Sequence, residues 1–202
     1  AKMLQQTGHM QSLLDDLLEL SRVQSGEIKD SEEQVNVAAL LMQLKEQADE
    51  LSSGRHELVF DVAPDMALTG VAADLESAFG NLISNAVKYT PEGRSVRVSW
   101  KDTPDGPRFE VTDEGIGIPA RDIPRITERF YRVGSGRGQS TGGTGLGLAI
   151  VKHVVNAHDA RLLIESELGE GSIFTIAFPK ERLLLQSETT DDEISGATGQ
   201  DA

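Results

Sequence analysis

From Val35 to Phe178 the chain switches repeatedly between helix-like and strand-like patterning, and this alternation leaves few architectures open. A short strand near Val35 leads into a helix reaching about Leu51. Strands over Glu57–Val62 and Ala67–Gly70 precede a helix over Ala72–Tyr89, and two more strands follow at Ser95–Lys101 and Arg108–Thr112. Beyond a loop-rich stretch come a helix from Thr144 to His158 and a closing pair of strands, Arg161–Ser166 and Ser172–Phe178. Helices interleaved with strands, several of them joined as hairpins, predict an α+β fold: a two-layer α/β sandwich in which a mixed sheet carries its helices on one face. No internal repeat is present.

The flanks differ from this centre. Between Met3 and Val23 apolar residues fall at Met3, Met10, Leu13, Leu17 and Leu20, with Leu14 and Leu18 widening the stripe, and Gly26 supplies a C-cap. A helix over 1–26 with such a seam suits either a partner helix or packing on its own domain. Residues 27–34 read as an acidic linker with Lys29 as its only positive charge. The main domain is expected over 35–181. After Leu183–Leu185 the acidic residues Glu188, Asp191, Asp192, Glu193 and Asp201 meet no positive charge, so 182–202 reads as a disordered tail.

Composition narrows the function. A net charge of −14 argues against nucleic acid or an anionic membrane surface as a direct partner, so an anionic ligand must be held locally. The absence of cysteine excludes disulfides and thiolate metal sites and suits a reducing compartment. No apolar run has the length of a membrane span. The chain opens inside a helical pattern, as a piece of a longer protein would, which leaves upstream membrane segments open.

Three strings break local rules. In the Ala72–Tyr89 helix, Asn81, Asn85 and Lys88 stand at i, i+4 and i+7 on one face, apart from the apolar face of Leu75, Phe79, Leu82, Ile83 and Ala86. Asparagine is a poor helix former, but its amide oxygen is a hard, neutral ligand for Mg²⁺, and a lysine adds a point charge for phosphates. A solvated polar face would look the same taken alone. Asp113-Glu114-Gly115-Ile116-Gly117-Ile118 follows a strand directly, placing a carboxylate where it can accept from an exocyclic amine such as adenine's, while the glycines permit close approach. Such strings also occur as ordinary turns, and no third glycine completes a dinucleotide fingerprint. The third string runs from Gly134 through Gly142, Gly143, Thr144, Gly145, Leu146, Gly147 and Leu148 into a helix whose first N–H groups can face phosphates. Ordering each glycine costs about 0.5–1 kcal/mol more than alanine, so such a lid is expected to close over a bound ligand rather than alone. A flexible surface loop is the alternative.

In this order the strings resemble the asparagine box, first glycine box, phenylalanine box (Glu128-Arg129-Phe130-Tyr131-Arg132) and second glycine box of sensor histidine kinases, within the ATPase superfamily that includes gyrase, Hsp90 and MutL. The resemblance covers Met3 to Pro179. It implies a Bergerat-type ATP-binding fold, ATP and Mg²⁺ as cofactors, Asn85 as metal ligand, and Asn81, Lys88 and Tyr89 beside the nucleotide. It further implies Asp113 as adenine reader with Gly115, Gly117 and Ile118 around it. Phe130 would be a lid anchor, Lys88 and Arg132 catalytic phosphate contacts, and Gly143, Thr144, Gly145, Leu146, Gly147 and Leu148 the phosphate-side loop. The N-terminal helix, ending Asp16-Leu17-Leu18-Glu19-Leu20-Ser21-Arg22, resembles the second helix of the family's dimerisation and phosphoacceptor hairpin. Implied partners are the acceptor helix of the same or a partner chain and the receiver domain of a response regulator. The whole protein would be a homodimeric inner-membrane sensor whose cytoplasmic portion includes this chain.

The sequence departs from the pattern in places. None of the histidines His9, His56, His153 and His158 stands in a phosphoacceptor motif. Thr127 replaces a common phenylalanine, which is expected to loosen the lid hinge. His158-Asp159-Ala160 replaces the common His-Gly-Gly turn and, with Lys152-His153, resembles the phosphate-regulon sensor kinases. An ATP hydrolase of the gyrase or Hsp90 kind would carry a glutamate base one turn before the magnesium asparagine, where this chain has Asn81. The other rival is a non-catalytic module that controls a partner through its helix or its nucleotide.

Overall fold

The computed structural model describes residues 32–64, 66–133 and 143–185, together with Met10, Leu14, Leu18 and Ser21. Those four are helical and exposed, and Met10, Leu14 and Leu18 succeed one another at i, i+4 and i+8 along one stripe. The rest of the expected first helix, including His9, the linker to residue 31, the lid from Gly134 to Gly142 and the tail from Gln186 lie outside the described residues.

Among the described residues the elements run β1 (Glu33–Asn36), α1 (Val37–Ser52), β2 (Glu57–Val62), β3 (Met66–Gly70), α2 (Ala72–Tyr89), β4 (Ser95–Lys101), β5 (Arg108–Asp113), α3 (Gly147–Ala157), β6 (Arg161–Glu167), β7 (Gly171–Ala177) and β8 (Leu183–Leu185). A five-stranded sheet has the order β2-β4-β5-β7-β6. Its β2–β4 pair is parallel and the others antiparallel, so the sheet is mixed as expected. The three helices pack side by side against it, α1 on α2 and α2 on α3.

Each helix is explained by its apolar stripe and its ends. The Asn36 side chain caps α1 by accepting from the Ala39 N–H at 3.0 Å, and the helix buries Val37, Leu41, Leu44 and Ala48. Helix α2 buries Leu75, Phe79, Leu82, Ile83 and Ala86, with the Phe79 ring stacked on Phe109 of β5 at 3.9 Å between centroids. Phe178 meets both Phe79 and Trp100 edge-on, closing the centre of the core.

Boundaries and one sheet correct the sequence reading. Strand β1 starts at Glu33, inside the supposed linker. It joins β3 and β8 in a second, three-stranded sheet rather than the expected single one. The domain also runs past residue 181, because Leu183–Leu185 pair with Met66–Leu68 of β3 before the acidic tail begins. Arg182 fastens this return: its guanidinium donates to the Thr69 carbonyl at 3.0 Å and pairs with Glu32 at 2.8 Å and Asp159 at 3.3 Å. Helix α3 starts at Gly147 rather than Thr144, since Gly145 has φ +76° and cannot join a right-handed helix.

His158, at the end of α3, is fully buried. Its Nδ1 donates to the Val154 carbonyl at 2.9 Å and its Nε2 accepts from the Val71 N–H at 3.1 Å, an arrangement only the neutral ring can make. Gly70 keeps this contact possible, because a Cβ there would sit 2.8 Å from His158 Nε2. Asp159 takes φ +54°, a left-handed conformation that glycine adopts freely and aspartate tolerates. Burial pushes the His158 pKa below its ordinary 6.5. The unfolded chain therefore takes up a proton before the folded one does. Stability should be full above pH 6.5 and fall as the pH drops below it, and urea midpoints measured across that range should show this slope. Replacing His158 by alanine should remove much of the slope and cost about 2–4 kcal/mol at neutral pH, through the cavity and the orphaned Val71 N–H.

Candidate nucleotide site

Strand β5 sets the floor of the site. Its period of two buries Phe109, Val111 and Asp113 on one face, so the side chain at the strand's end is carried inward with the core residues. Asp113 is 6% exposed. Its carboxylate accepts from the Gly115 N–H at 2.8 Å, and the register of β7 sets Ser172 opposite it. Burial pushes its pKa above the usual carboxylate value, and the Gly115 N–H opposes the shift without cancelling it. What results is a carboxylate held in place by a donor and left with lone pairs for a further one.

The first glycine loop ties this floor to α2. Ile116 N–H donates to the Tyr89 carbonyl at 3.2 Å, while a Cβ on Gly115 would strike both Asp113 Oδ1 and that carbonyl. Gly117 has φ +66° and lies against the Glu167 carbonyl, where no Cβ fits. Ile118 packs against the core with its N–H donating to Ser166 Oγ at 2.8 Å.

The asparagine face of α2 meets the start of α3. Asn81 donates through Nδ2 to the Ser77 carbonyl at 3.0 Å and lays its Oδ1 against the Cα of Gly147, where a Cβ would collide with it. Asn85 is half-buried and Lys88 exposed on the same face, and the Tyr89 hydroxyl would be 3.7 Å from a Cβ on Gly143. A cavity of about 290 Å³ opens beside them, lined by Lys88, Tyr89 and Gly143, by Leu51 of α1 and by Arg55 and His56 in the turn after it. These last three were missed by sequence reasoning, as were Ser166 and Ser172. His56 holds this wall together, its ring nitrogens lying 3.1 Å from Ser52 Oγ and 3.0 Å from the Thr90 carbonyl.

The phenylalanine box joins the second glycine loop through its backbone. Phe130 N–H donates to the Gly145 carbonyl at 2.9 Å, and Phe130 itself takes φ +62° and is 60% exposed, so its tie to the loop lies in the main chain. Leu146 is fully buried in the core. Thr144 caps the turn, its hydroxyl accepting from Leu146 N–H at 3.2 Å. Leu148 packs against the core, and Arg132 is half-buried just before the undescribed lid. Thr127 accepts from Lys152 Nζ at 3.4 Å, so the position expected to loosen the hinge keeps a tie to α3.

Comparison with known proteins decides the family. Residues 70–182 match the family described as histidine kinase-, DNA gyrase B- and HSP90-like ATPase. The chain belongs to this family. Among its histidine kinase-, DNA gyrase B- and HSP90-like relatives, the phosphate regulon sensor protein PhoR of Pseudomonas aeruginosa is 49% identical over 178 residues, 88% of this chain and 40% of that protein. The chain thus spans less than half the length of this relative. The mycobacterial sensor histidine kinase MprB superposes with a TM-score of 0.65 at 30% identity, covering 73% of this chain and 97% of the MprB chain. Full-length ShkA in complex with AMPPNP superposes with a TM-score of 0.70 at 29% identity, covering 85% of this chain and 37% of ShkA. The α+β architecture with its mixed sheet is the one these kinase domains share. Among the described residues no helix is long and apolar enough to cross a membrane.

Proposed function

We propose that this chain binds Mg-ATP between α2, the first glycine loop and the start of α3, and donates the γ-phosphoryl group to a histidine on the hairpin helix of a sensor kinase, for relay to an aspartate of a response-regulator receiver domain. The observation that carries this is the convergence on one cleft of Asn81 against Gly147, Tyr89 beside Gly143 and the Asp113 loop, where Gly147, Gly115 and Gly117 have no room for a Cβ. The donor set fits the cofactors. Asn85 offers one hard oxygen to a Mg²⁺ that takes its other ligands from water and phosphate. Bound Mg²⁺ supplies charge neutralisation on the triphosphate. Lys88 and Arg132 add positive charge along it, the N–H groups opening α3 face it, and Asp113 accepts from the adenine amine.

Transfer rather than hydrolysis follows from Asn81. An amide cannot take a proton from water, and this one is already committed to Ser77 and packed on Gly147. In this reading the exposed Met10–Leu14–Leu18 stripe meets the other hairpin helix. The whole protein would be a homodimeric, membrane-anchored sensor of the phosphate-regulon type, with this chain on the cytoplasmic side. Calorimetric titration with a non-hydrolysable ATP analogue should show one site per chain that weakens by at least about tenfold when Mg²⁺ is chelated. Absence of binding, or binding indifferent to Mg²⁺, would count against it.

A further inference from the structure

The cavity beside Tyr89 has walls of two kinds. Lys88, Tyr89 and Gly143 belong to the nucleotide site, whereas Arg55 and His56 come from the turn after α1 and Glu92 from the turn after α2. Some of these polar groups are already committed. Arg55 donates through Nε and Nη2 to the carbonyls of Ser52 and Leu51 at 2.9 and 3.0 Å, and both ring nitrogens of His56 are engaged with Ser52 and Thr90. The side chains of Lys88, Tyr89 and Glu92 make no hydrogen bond or ion pair among the described residues. Glu92 nevertheless has a fixed seat. Gly93 N–H donates to the Arg55 carbonyl at 2.8 Å and Glu57 N–H to the Arg94 carbonyl at 3.1 Å, so the main chain pins this turn to the end of α1 while Glu92 stays exposed at the cavity rim.

A nucleotide held by its base at Asp113 and by its phosphates at Asn85, Lys88 and the start of α3 carries its sugar between these ends. Tyr89 spans that interval, its carbonyl accepting from Ile116 N–H of the Asp113 loop and its hydroxyl lying toward Gly143. The cavity opens there, and about 290 Å³ is the small end of the range for ligand pockets, a size for one moiety of a nucleotide. An ionised carboxylate repels phosphate and can only accept hydrogen bonds, so what Glu92 can take from a nucleotide is a hydroxyl. Its two oxygens match the neighbouring O–H groups of a ribose, a pairing that dinucleotide-binding folds use on the same sugar. We propose that this cavity seats the ribose and that Glu92 accepts from its 2′- and 3′-hydroxyls, so that the chain selects ribonucleotides over their deoxy forms. The inference rests on the reading of Asp113 and Lys88 as base and phosphate contacts.

The test measures affinities of the 202-residue chain for ADP and for 2′,3′-dideoxy-ADP with Mg²⁺ present, with melting temperatures alongside. The wild type should bind ADP about fivefold more tightly than the dideoxy form, the scale of hydrogen bonds made at a solvent-facing rim. Glu92→Ala should bring ADP down to the dideoxy level and leave dideoxy-ADP unchanged. It should melt as the wild type does, because the side chain bonds nothing within the described residues. Equal affinity of the wild type for the two nucleotides would overturn the proposal. So would a Glu92→Ala variant that keeps the wild-type ratio, whether both affinities hold, fall or rise, since the carboxylate would then act on something other than the hydroxyls. Asp113→Asn separates the sugar contact from the site beneath it and should weaken both nucleotides alike, by about 10- to 100-fold. If it binds ADP as the wild type does, the reading of the site itself fails, whereas loss there with an unchanged ratio in Glu92→Ala refutes the sugar contact alone.

Discussion

Asn85→Ala should fold normally and lose phosphoryl transfer by about 100-fold or more, the scale expected when a group that organises charge on the transferring phosphate is removed. The two halves of this expectation come from opposite faces of α2. Its core face, Leu75, Phe79, Leu82, Ile83 and Ala86, does not include Asn85, and alanine is the better helix former, so the melting temperature should hold or rise slightly. The polar face loses the hard oxygen that a divalent ion would use. Rates of label transfer from γ-labelled ATP to a supplied acceptor, measured beside a thermal melt, check both halves. Transfer at the wild-type rate would remove Asn85 from the metal, and a large drop in melting temperature would make it a structural residue.

Asp113→Asn should lower affinity for an ATP analogue by about 10- to 100-fold, since a charge-assisted hydrogen bond contributes roughly 1.5–3 kcal/mol. The nucleotide-free chain should nevertheless be no less stable at neutral pH. Burial holds the Asp113 pKa above its usual value, so at neutral pH the folded state carries a charge it disfavours. The sign is fixed by that direction: the penalty is present while the group is ionised and is relieved as the pH falls through its folded pKa. A neutral amide of the same shape escapes the penalty and can still accept from Gly115. Calorimetric titration gives the affinity and a melt of the free chain the stability. An Asn variant that binds as the wild type does, or that melts much lower, contradicts this account of the site.

Much of this was legible in the residues because local chemistry wrote it there. The heptad-independent spacing of Asn81, Asn85 and Lys88 places them on one helix face whatever the tertiary structure, and Asp113 ends a strand whose alternation already points it inward. What depends on register was not legible. Nothing in the string Ser166 to Ser172 says that the two hydroxyls face each other, or that Ser172 faces Asp113; only the pairing of three strands does. Leu183–Leu185 were passed over because three residues carry too little periodicity to separate an edge strand from the start of a tail, and their partner β3 lies more than a hundred residues earlier. Phe130 was expected as a lid anchor without a stated contact, and it is its main chain that meets Gly145. His158 read only as a histidine in no phosphoacceptor motif, followed by Asp159-Ala160 in place of a common glycine pair. Its two ring bonds span the end of α3 and the residue before α2, a contact 87 residues apart in sequence.

The most direct measurement of the central claim is transfer itself. The chain is incubated with γ-labelled ATP and Mg²⁺, alone and with a separately supplied chain carrying a histidine acceptor helix, and both label and free phosphate are followed. His158 is sealed in the core and the ring nitrogens of His56 face Ser52 and Thr90, so neither is a candidate acceptor. The account predicts label on the supplied helix, little on this chain and slow release of phosphate. Label accumulating on this chain alone, or phosphate released at the turnover of a dedicated ATPase with none on the helix, would contradict it.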